Sequence, residues 1–217
     1  GVGAGWHEPE HDAYGFHFPD VPQRANRFVE GVQVIKHLWS EGQSSFEGDY
    51  FTLNNVDMQP KPRTGRPWLL IGGSGPKRTL PAVAVHADEW NSVNAPIEIY
   101  RERTERLQRC CEATGRDPVS IKRSMMTFGL VGPNQKAVRR AADVAATTIG
   151  RGLDGPGLLA VAHERGLIHG TKDEVLDQLG RLADLGVSEV EFQHMDFAND
   201  EVPEFLAQDI APVARNL

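Results

Sequence analysis

The spacing of apolar and polar residues predicts helices that alternate with short strands. Between residues 22 and 40 apolar side chains recur at the interval of one helix face, and Pro22 suits the first turn of that helix. Residues 68–71 form instead a short apolar run closed by two glycines, which is typical of a buried parallel strand. Further helices are predicted over residues 76–86, 96–114, 135–149 and 171–186 and from about residue 203. Strands are predicted near residues 1–5, 68–72, 88–92, 121–130 and 187–193.

This alternation predicts an α/β fold in which helical crossovers join parallel strands. One segment departs from it, because residues 44–62 have the pattern of a hairpin with Gly48 and Asp49 in its turn. Both β/α barrels and doubly wound sheets place ligands at the carboxyl ends of their strands. The residues that follow predicted strands, and are therefore candidates for a site, are Gly5, Trp6, residues 72–75, Asn91 and His194.

The first residues, GVGAGWHEPEH, contain two known patterns that their neighbours argue against. A dinucleotide-binding fingerprint needs G-x-G-x-x-G, but the third glycine comes one place early and Trp6 stands where a small residue is needed. The H-E-x-x-H pattern of zinc peptidases needs both histidines on one helix. Since Pro9 is tolerated only in a first helical turn, a helix that begins at Glu8 leaves His7 outside it. The sequence therefore favours a polar loop that opens a helix, and no metal site is predicted.

A second glycine cluster, G-G-S-G at residues 72–75, lies between a predicted strand and a predicted helix. Glycines there allow backbone N–H groups to converge on a phosphate at the helix N-terminus, with Ser74, Lys77 or Arg78 adding contacts. A plain tight turn explains the same residues equally well. Small residues at both strand ends, with Trp6 after the first, also suit a planar ring whose phosphate is held by residues 72–75.

Composition narrows the class of protein. The chain has 30 acidic and 23 basic residues and a net charge of −7, which disfavours a nucleic-acid or anionic-membrane partner. Cys110 and Cys111 are adjacent, so they form no disulfide framework and fit a reducing compartment. No apolar stretch approaches the roughly 20 residues of a membrane span. A single domain over residues 1–217, located in the cytoplasm, is therefore predicted.

Several motifs, in order along the chain, resemble the luciferase-like monooxygenase family. They are GVGAGWHEPEHDAYGF at the start, then FEGDYF, GRPWLLIGGSG and HADEWN, and near the end GTKDEVLDQLGRLADLGVSEVEF. In character they are most similar to the branch that uses the deazaflavin coenzyme F420. The resemblance spans nearly the whole chain, so what it implies about fold and chemistry applies to nearly all of it.

The resemblance implies a TIM-type (β/α)₈ barrel, of which this chain holds about five β/α units, with further N-terminal units expected before Gly1. It implies an oxidoreductase that transfers a hydride between coenzyme F420 and a small organic substrate. An FMN-dependent monooxygenase that uses reduced flavin and oxygen is the alternative, and a non-catalytic flavin-binding relative is a further one. Homodimers are common in the family, and neither nucleic acid nor a membrane is an expected partner.

The resemblance also gives expected roles to particular residues. The residues expected beside the cofactor ring are Gly3, Ala4, Gly5 and Trp6. The residues expected to hold its phosphate are Gly72, Gly73, Ser74 and Gly75. Hydride transfer needs no covalent nucleophile, since the protein supplies orientation and electrostatics. Trp6, His7 and His194 are the candidate catalytic residues, on the substrate side.

Overall fold

The computed structural model describes residues 1–40, 42–63 and 65–217. The contacts among them divide the chain into two compact units. Unit 1 comprises Gly1–Trp90 and Arg106–Ile121, and unit 2 comprises Asn91–Glu105 and Lys122–Leu217. The boundary passes through a strand and a helix, and the expected single domain stays a prediction.

Helices and strands alternate along much of the chain, as predicted. The strands are β1 (Ser44–Glu47), β2 (Thr52–Val56), β3 (Leu70–Gly72), β4 (Glu89–Val93), β5 (Lys122–Val131), β6 (Ile168–Gly170) and β7 (Glu189–Gln193). The helices are α1 (Glu8–Tyr14), α2 (Val21–Trp39), α3 (Thr79–His86), α4 (Ile97–Thr114), α5 (Gln135–Ile149), α6 (Gly155–Ala160), α7 (Lys172–Asp184), α8 (Glu201–Phe205) and α9 (Ala211–Ala214). A 3₁₀ turn covers Pro118–Ser120, and a π-helical turn, Leu206–Ile210, joins α8 to α9. None of the described helices is long and apolar enough to cross a membrane.

The predicted hairpin is confirmed in unit 1. β1 and β2 pair antiparallel, with Ser44 opposite Val56, and residues 48–51 connect them. The glycine and aspartate expected in the turn begin this connection, because both residue types adopt the backbone conformations that tight turns require. The hairpin therefore interrupts the strand–helix alternation where the sequence places it.

The strand predicted over residues 1–5 is confirmed only around Val2. The Val2 N–H donates to Leu70 O at 2.9 Å, and the Gly72 N–H donates to Val2 O at 2.9 Å, which forms an isolated parallel bridge. Val2 is partly buried, but its glycine neighbours are exposed. This N-terminal segment (residues 1–5) is therefore less buried than the sequence predicts, because its glycines bring no apolar side chain to bury.

Asp88 joins the beginning of β3 to the beginning of β4 in unit 1. β3 is the neighbour of β4 in the sheet, and the Asp88 N–H donates to Leu69 O at 2.9 Å. The Asp88 carboxylate accepts the Leu69 N–H at 2.8 Å. It also accepts two hydrogen bonds from the Arg66 guanidinium, at 2.5 and 2.6 Å. The residues just before β3 are thus held by the Arg66–Asp88 ion pair as well as by backbone hydrogen bonds.

In unit 2, β5 pairs with two parallel strands. It pairs with β6 through residues 129–131 and with β7 through residues 124–128. α5 and α6 form the crossover between β5 and β6, so an α/β fold with parallel strands is confirmed. Sequence reasoning missed β6, because three residues are too few to show an apolar period. Closure into an eight-stranded barrel, and the number of β/α units, stay predictions.

The first helical turn after β3 differs from the prediction. A helix is expected from Pro76, whereas α3 begins at Thr79. The Gly75 carbonyl accepts the Leu80 N–H at 3.0 Å, five residues later, so this turn is wider than an α-helical turn. The regular helical ladder consequently begins only beyond the turn.

Candidate functional site

The glycine loop (residues 72–75) connects β3 to α3 in unit 1. Gly73 has φ +111°, a conformation that residues with a Cβ rarely adopt. A Cβ on Gly75 would lie 2.8 Å from Thr79 Oγ1, closer than real Cβ contacts. Backbone conformation therefore favours glycine at position 73, and the close approach of the loop to the first residue of α3 favours glycine at position 75.

Two carbonyl oxygens of this connection are held by side chains from elsewhere in unit 1. The Trp90 indole Nε1 donates to Gly73 O at 2.8 Å, and the Arg106 Nε donates to Pro76 O at 2.9 Å. The Trp90 side chain is completely buried. Sequence reasoning missed both donors, because they lie 17 and 30 positions from their acceptors. Trp90 stands in the HADEWN motif, but the motif does not indicate this hydrogen bond.

Cationic side chains accompany the glycine loop. Lys77 and Arg78 are exposed just before α3, as expected from the sequence, and Arg106 reaches the same connection from α4. The Arg78 Nε donates to Asn26 Oδ1 of α2 at 2.7 Å, which restrains the guanidinium. This distribution of charge beside a helix N-terminus suits an anionic ligand.

The N-terminal segment lies directly beside the glycine loop. A Cβ on Gly3 would lie 3.6 Å from Gly72 O, and Val2 forms the parallel bridge to β3. Because the two segments run in the same direction, their carboxyl ends meet at one edge of the sheet. The structure thus brings the expected ring-binding residues next to the expected phosphate-binding residues, and both roles stay predictions.

A cleft of about 350 Å³ opens beside the N-terminal segment. α2 forms much of its wall and contributes Arg24 and Arg27. The Arg24 guanidinium carbon lies 3.9 Å from the centre of the Phe18 ring, and its Nη1 donates to Pro19 O at 2.6 Å. Sequence reasoning did not select these arginines, although their spacing places them on one helix face. The cleft therefore combines cationic side chains with the small residues of the N-terminal segment.

Glu30 attaches the hairpin to α2. Its Oε2 accepts the Asp49 N–H at 3.0 Å, and its Oε1 accepts the N–H groups of Tyr50 and Phe51 at 2.8 and 2.7 Å. A Cβ on Gly31 would lie 3.5 Å from the Phe51 ring, which lines the cleft. One carboxylate of α2 thus places an aromatic wall of the cleft, and no sequence motif marks it.

Trp6 and His7 lie together at the start of α1. Their ring centroids are 5.0 Å apart, and Trp6 is 83% exposed, so it is not a core residue. α1 begins at Glu8 with His7 as its N-cap, and the His11 Nδ1 lies 2.9 Å from His7 O. The expectation that His7 stands outside the helix is confirmed. The substrate-side roles of Trp6 and His7 stay predictions.

Two residues expected to follow strands belong to unit 2. His194 follows β7 and lines a pocket of about 870 Å³ together with apolar side chains of α7, α8 and α9. Within the described part of the chain its buried Nδ1 has no hydrogen-bond partner, and its ring centroid lies 5.8 Å from that of Phe197. Asn91 lies inside β4 rather than after it, and its Nδ2 donates to Ser124 Oγ at 2.9 Å. A catalytic role for His194 stays a prediction.

Comparison with known proteins finds that the chain is similar to monooxygenases. A family model described as luciferase-like monooxygenase matches residues 1–189. Pyrimidine monooxygenase RutA of Klebsiella pneumoniae subsp. pneumoniae is 34% identical over 120 residues, which cover 52% of this chain and 32% of RutA. RutA of Escherichia coli O139:H28 is 31% identical over 119 residues, which cover 52% and 30%. The matched stretch thus spans about a third of the length of these relatives.

Solved structures share the fold. An F420-dependent secondary alcohol dehydrogenase in complex with an F420-acetone adduct matches with TM-score 0.77 and 22% identity, over 99% of this chain and 68% of that chain. The coenzyme F420-dependent tetrahydromethanopterin reductase from Methanopyrus kandleri matches with TM-score 0.77 and 18% identity, over 97% and 72%. Monooxygenase RslO1 from Streptomyces bottropensis matches with TM-score 0.75 and 20% identity, over 97% and 67%. These structures support the fold, and since the family model covers most of the sequence, the chain belongs to the luciferase-like monooxygenase family.

Proposed function

We propose that the protein is an oxidoreductase that transfers a hydride between the deazaflavin coenzyme F420 and a small organic substrate. The observation that carries this proposal is the placement of the N-terminal segment beside the glycine loop, with a Cβ position on Gly3 3.6 Å from Gly72 O. Family membership and two structural neighbours named for coenzyme F420 support it. A cytoplasmic location is part of the same proposal.

The glycine loop fits the phosphate of such a cofactor. Gly73 and Gly75 carry no side chains, so an anion would reach the backbone of the loop directly. The N-terminus of α3 adds partial positive charge, and Lys77 and Arg78 add full charges beside it. Ser74 brings a hydroxyl group to the same loop. These residues would therefore offer the phosphate backbone N–H groups, a hydroxyl group and positive charge.

The N-terminal segment fits the cofactor ring. Gly3 and Gly5 have no side chain and Ala4 has only a methyl group, and all three border the cleft, which leaves space for a planar group. Trp6 and His7 follow immediately, where they would shield the ring from water and orient the substrate. When bound, the deazaflavin supplies the carbon that accepts or donates the hydride, so the chain contributes binding, orientation and electrostatics.

A monooxygenase that uses reduced FMN and oxygen is the second candidate. The similarity to RutA, a pyrimidine monooxygenase 34% identical over 120 residues, favours it. FMN also carries one phosphate and one planar ring, so the glycine loop and the N-terminal segment would serve it in the same way. A flavin-binding relative without turnover is the third candidate.

Equilibrium titration of the protein with F420 and with FMN, followed by fluorescence, tests the proposal. We expect F420 to bind with the lower Kd and to be reduced or oxidised with an organic substrate. Tighter FMN binding together with substrate-dependent oxygen uptake would establish the second candidate instead. Binding without turnover would establish the third, and binding of neither cofactor would contradict all of them.

A further inference from the structure

An anion-binding loop must control its carbonyl oxygens as well as its N–H groups, because an oxygen turned toward a phosphate repels it. In the connection from β3 to α3, Gly75 O accepts the Leu80 N–H, a bond of the first helical turn. Gly73 O and Pro76 O accept instead from side chains, those of Trp90 and Arg106. Two oxygens that flank the expected phosphate position are therefore bound by protein donors.

These two hydrogen bonds also fix the directions of the N–H groups that follow Gly73 and Pro76 in the chain. A trans peptide carries its C=O and its N–H on opposite sides, and the peptide bonds that follow Gly73 and Pro76 are trans. Since Gly73 O points at the buried Trp90 indole, the Ser74 N–H points away from that buried ring. Since Pro76 O points at the Arg106 guanidinium, the Lys77 N–H points away from that guanidinium.

We propose that Trp90 and Arg106 are positioning residues for the cofactor phosphate. Each holds one carbonyl away from the anion and thereby directs the neighbouring N–H toward it. This inference rests on the proposed function, because it concerns the phosphate of the same cofactor. Phenylalanine at position 90 would fill much of the same space without an N–H, which separates hydrogen bonding from packing. Arg106 is exposed, so its removal leaves the core intact.

The test compares FMN with riboflavin, and F420 with its phosphate-free deazaflavin chromophore, in equilibrium titrations of the protein. Trp90→Phe and Arg106→Ala are each expected to weaken binding of the phosphorylated member of a pair by about three- to tenfold, the effect of one hydrogen bond. Binding of the phosphate-free member is expected to stay unchanged. Arg109→Ala removes the same charge from another exposed position of α4 and is expected to alter neither.

Titrations at high salt distinguish two possible effects of Arg106 on phosphate binding: the direction of the N–H groups and the positive charge of its guanidinium. At about 1 M salt the Debye length is about 3 Å, so exposed charges are screened. The effect of Arg106→Ala on the phosphorylated cofactor is expected to persist there, because it arises from a hydrogen bond. An effect that vanished at high salt would overturn the inference for Arg106.

The outcomes distinguish this inference from the proposed function. Equal weakening of both members of a pair would show that Trp90 and Arg106 are merely structural, and would overturn the inference alone. Wild-type protein that bound FMN no tighter than riboflavin, and F420 no tighter than its chromophore, would contradict the phosphate site of the proposed function and the inference with it. If Trp90→Phe fails to fold, the exposed Arg106→Ala variant decides.

Discussion

At the scale of single residues, backbone conformation decides what the glycine loop tolerates. Gly72 and Gly73 are neighbours, but only Gly73 has a positive φ, at +111°. A Cβ on Gly72 would lie 3.8 Å from Val2 O, an ordinary contact. A side chain at Gly73 is strained whatever the space around it, because the strain arises in the backbone. Two identical residues thus face different constraints.

Gly73→Ala is expected to lower the free energy of unfolding by about 1–3 kcal/mol, the range of a strained backbone position. Gly72→Ala is the matched control and is expected to change it by about 0.5 kcal/mol or less. Urea denaturation followed by circular dichroism measures both. Equal losses in the two variants would show that conformation at Gly73 is not the cause.

At the scale of elements, a single carboxylate joins the hairpin to α2. Glu30 accepts three backbone N–H groups from residues 49–51, and charge-assisted hydrogen bonds of this kind are stronger than neutral ones. The turn of a hairpin leaves such N–H groups without ladder partners, so an acceptor on a neighbouring helix satisfies them. The hydrogen bonds to α2 consequently fix the position of the hairpin, while its own strand pairing holds β1 and β2 together.

Glu30→Gln is expected to lower the free energy of unfolding by about 1–2 kcal/mol, because an amide NH₂ in place of one oxygen faces the Asp49 N–H. Hydrogen exchange of the amides at residues 49–51 is expected to accelerate in the same variant. Glu47→Gln, at an exposed position of β1, serves as the control and is expected to change neither quantity. Unchanged exchange in Glu30→Gln would refute the attachment.

At the scale of the whole molecule, the hydrogen bonds of the Asp88 carboxylate to Arg66 and Leu69 make the free energy of unfolding depend on pH. The Arg66 hydrogen bonds are the main cause that lowers the pKa of Asp88, and the Leu69 N–H adds to it against partial burial. A carboxyl whose pKa is lower in the folded than in the unfolded chain stabilises the fold most when it is ionised in both. The ionised carboxylate therefore stabilises the fold above the pKa of an unfolded aspartate, about 3.9. This stabilisation is lost as the pH falls through the lower pKa of Asp88 in the folded chain.

The free energy of unfolding is accordingly expected to fall as the pH drops below about 4, and less steeply in Asp88→Asn. Urea midpoints measured at several pH values across this window test the expectation. Asp12→Asn, at an exposed position of α1, is the control and is expected to retain the wild-type slope. If the free energy of unfolding changed with pH equally in Asp88→Asn and the wild type, the Asp88 hydrogen bonds would not be the cause.

Much of the element order is predictable from the sequence, because the signals are local. The helical period predicts α2, α4 and α5, and glycine with aspartate marks the hairpin turn. The strand–helix alternation predicts parallel strands, and the parallel pairing of β5 with β6 and with β7 confirms it. The adjacency of the two glycine clusters also follows, since parallel strands end at one edge. Family motifs then identified the class of protein.

Only the tertiary structure decided how the site is built. It placed Trp90 and Arg106 on the carbonyls of the glycine loop, Glu30 on the hairpin turn, and the first residue of α3 at Thr79 rather than Pro76. It also showed β6 and left Trp6 exposed. Periodicity and capping act over a few neighbouring residues, whereas each of these side-chain clamps joins positions 17 or more apart, and such contacts exist only once the chain has folded.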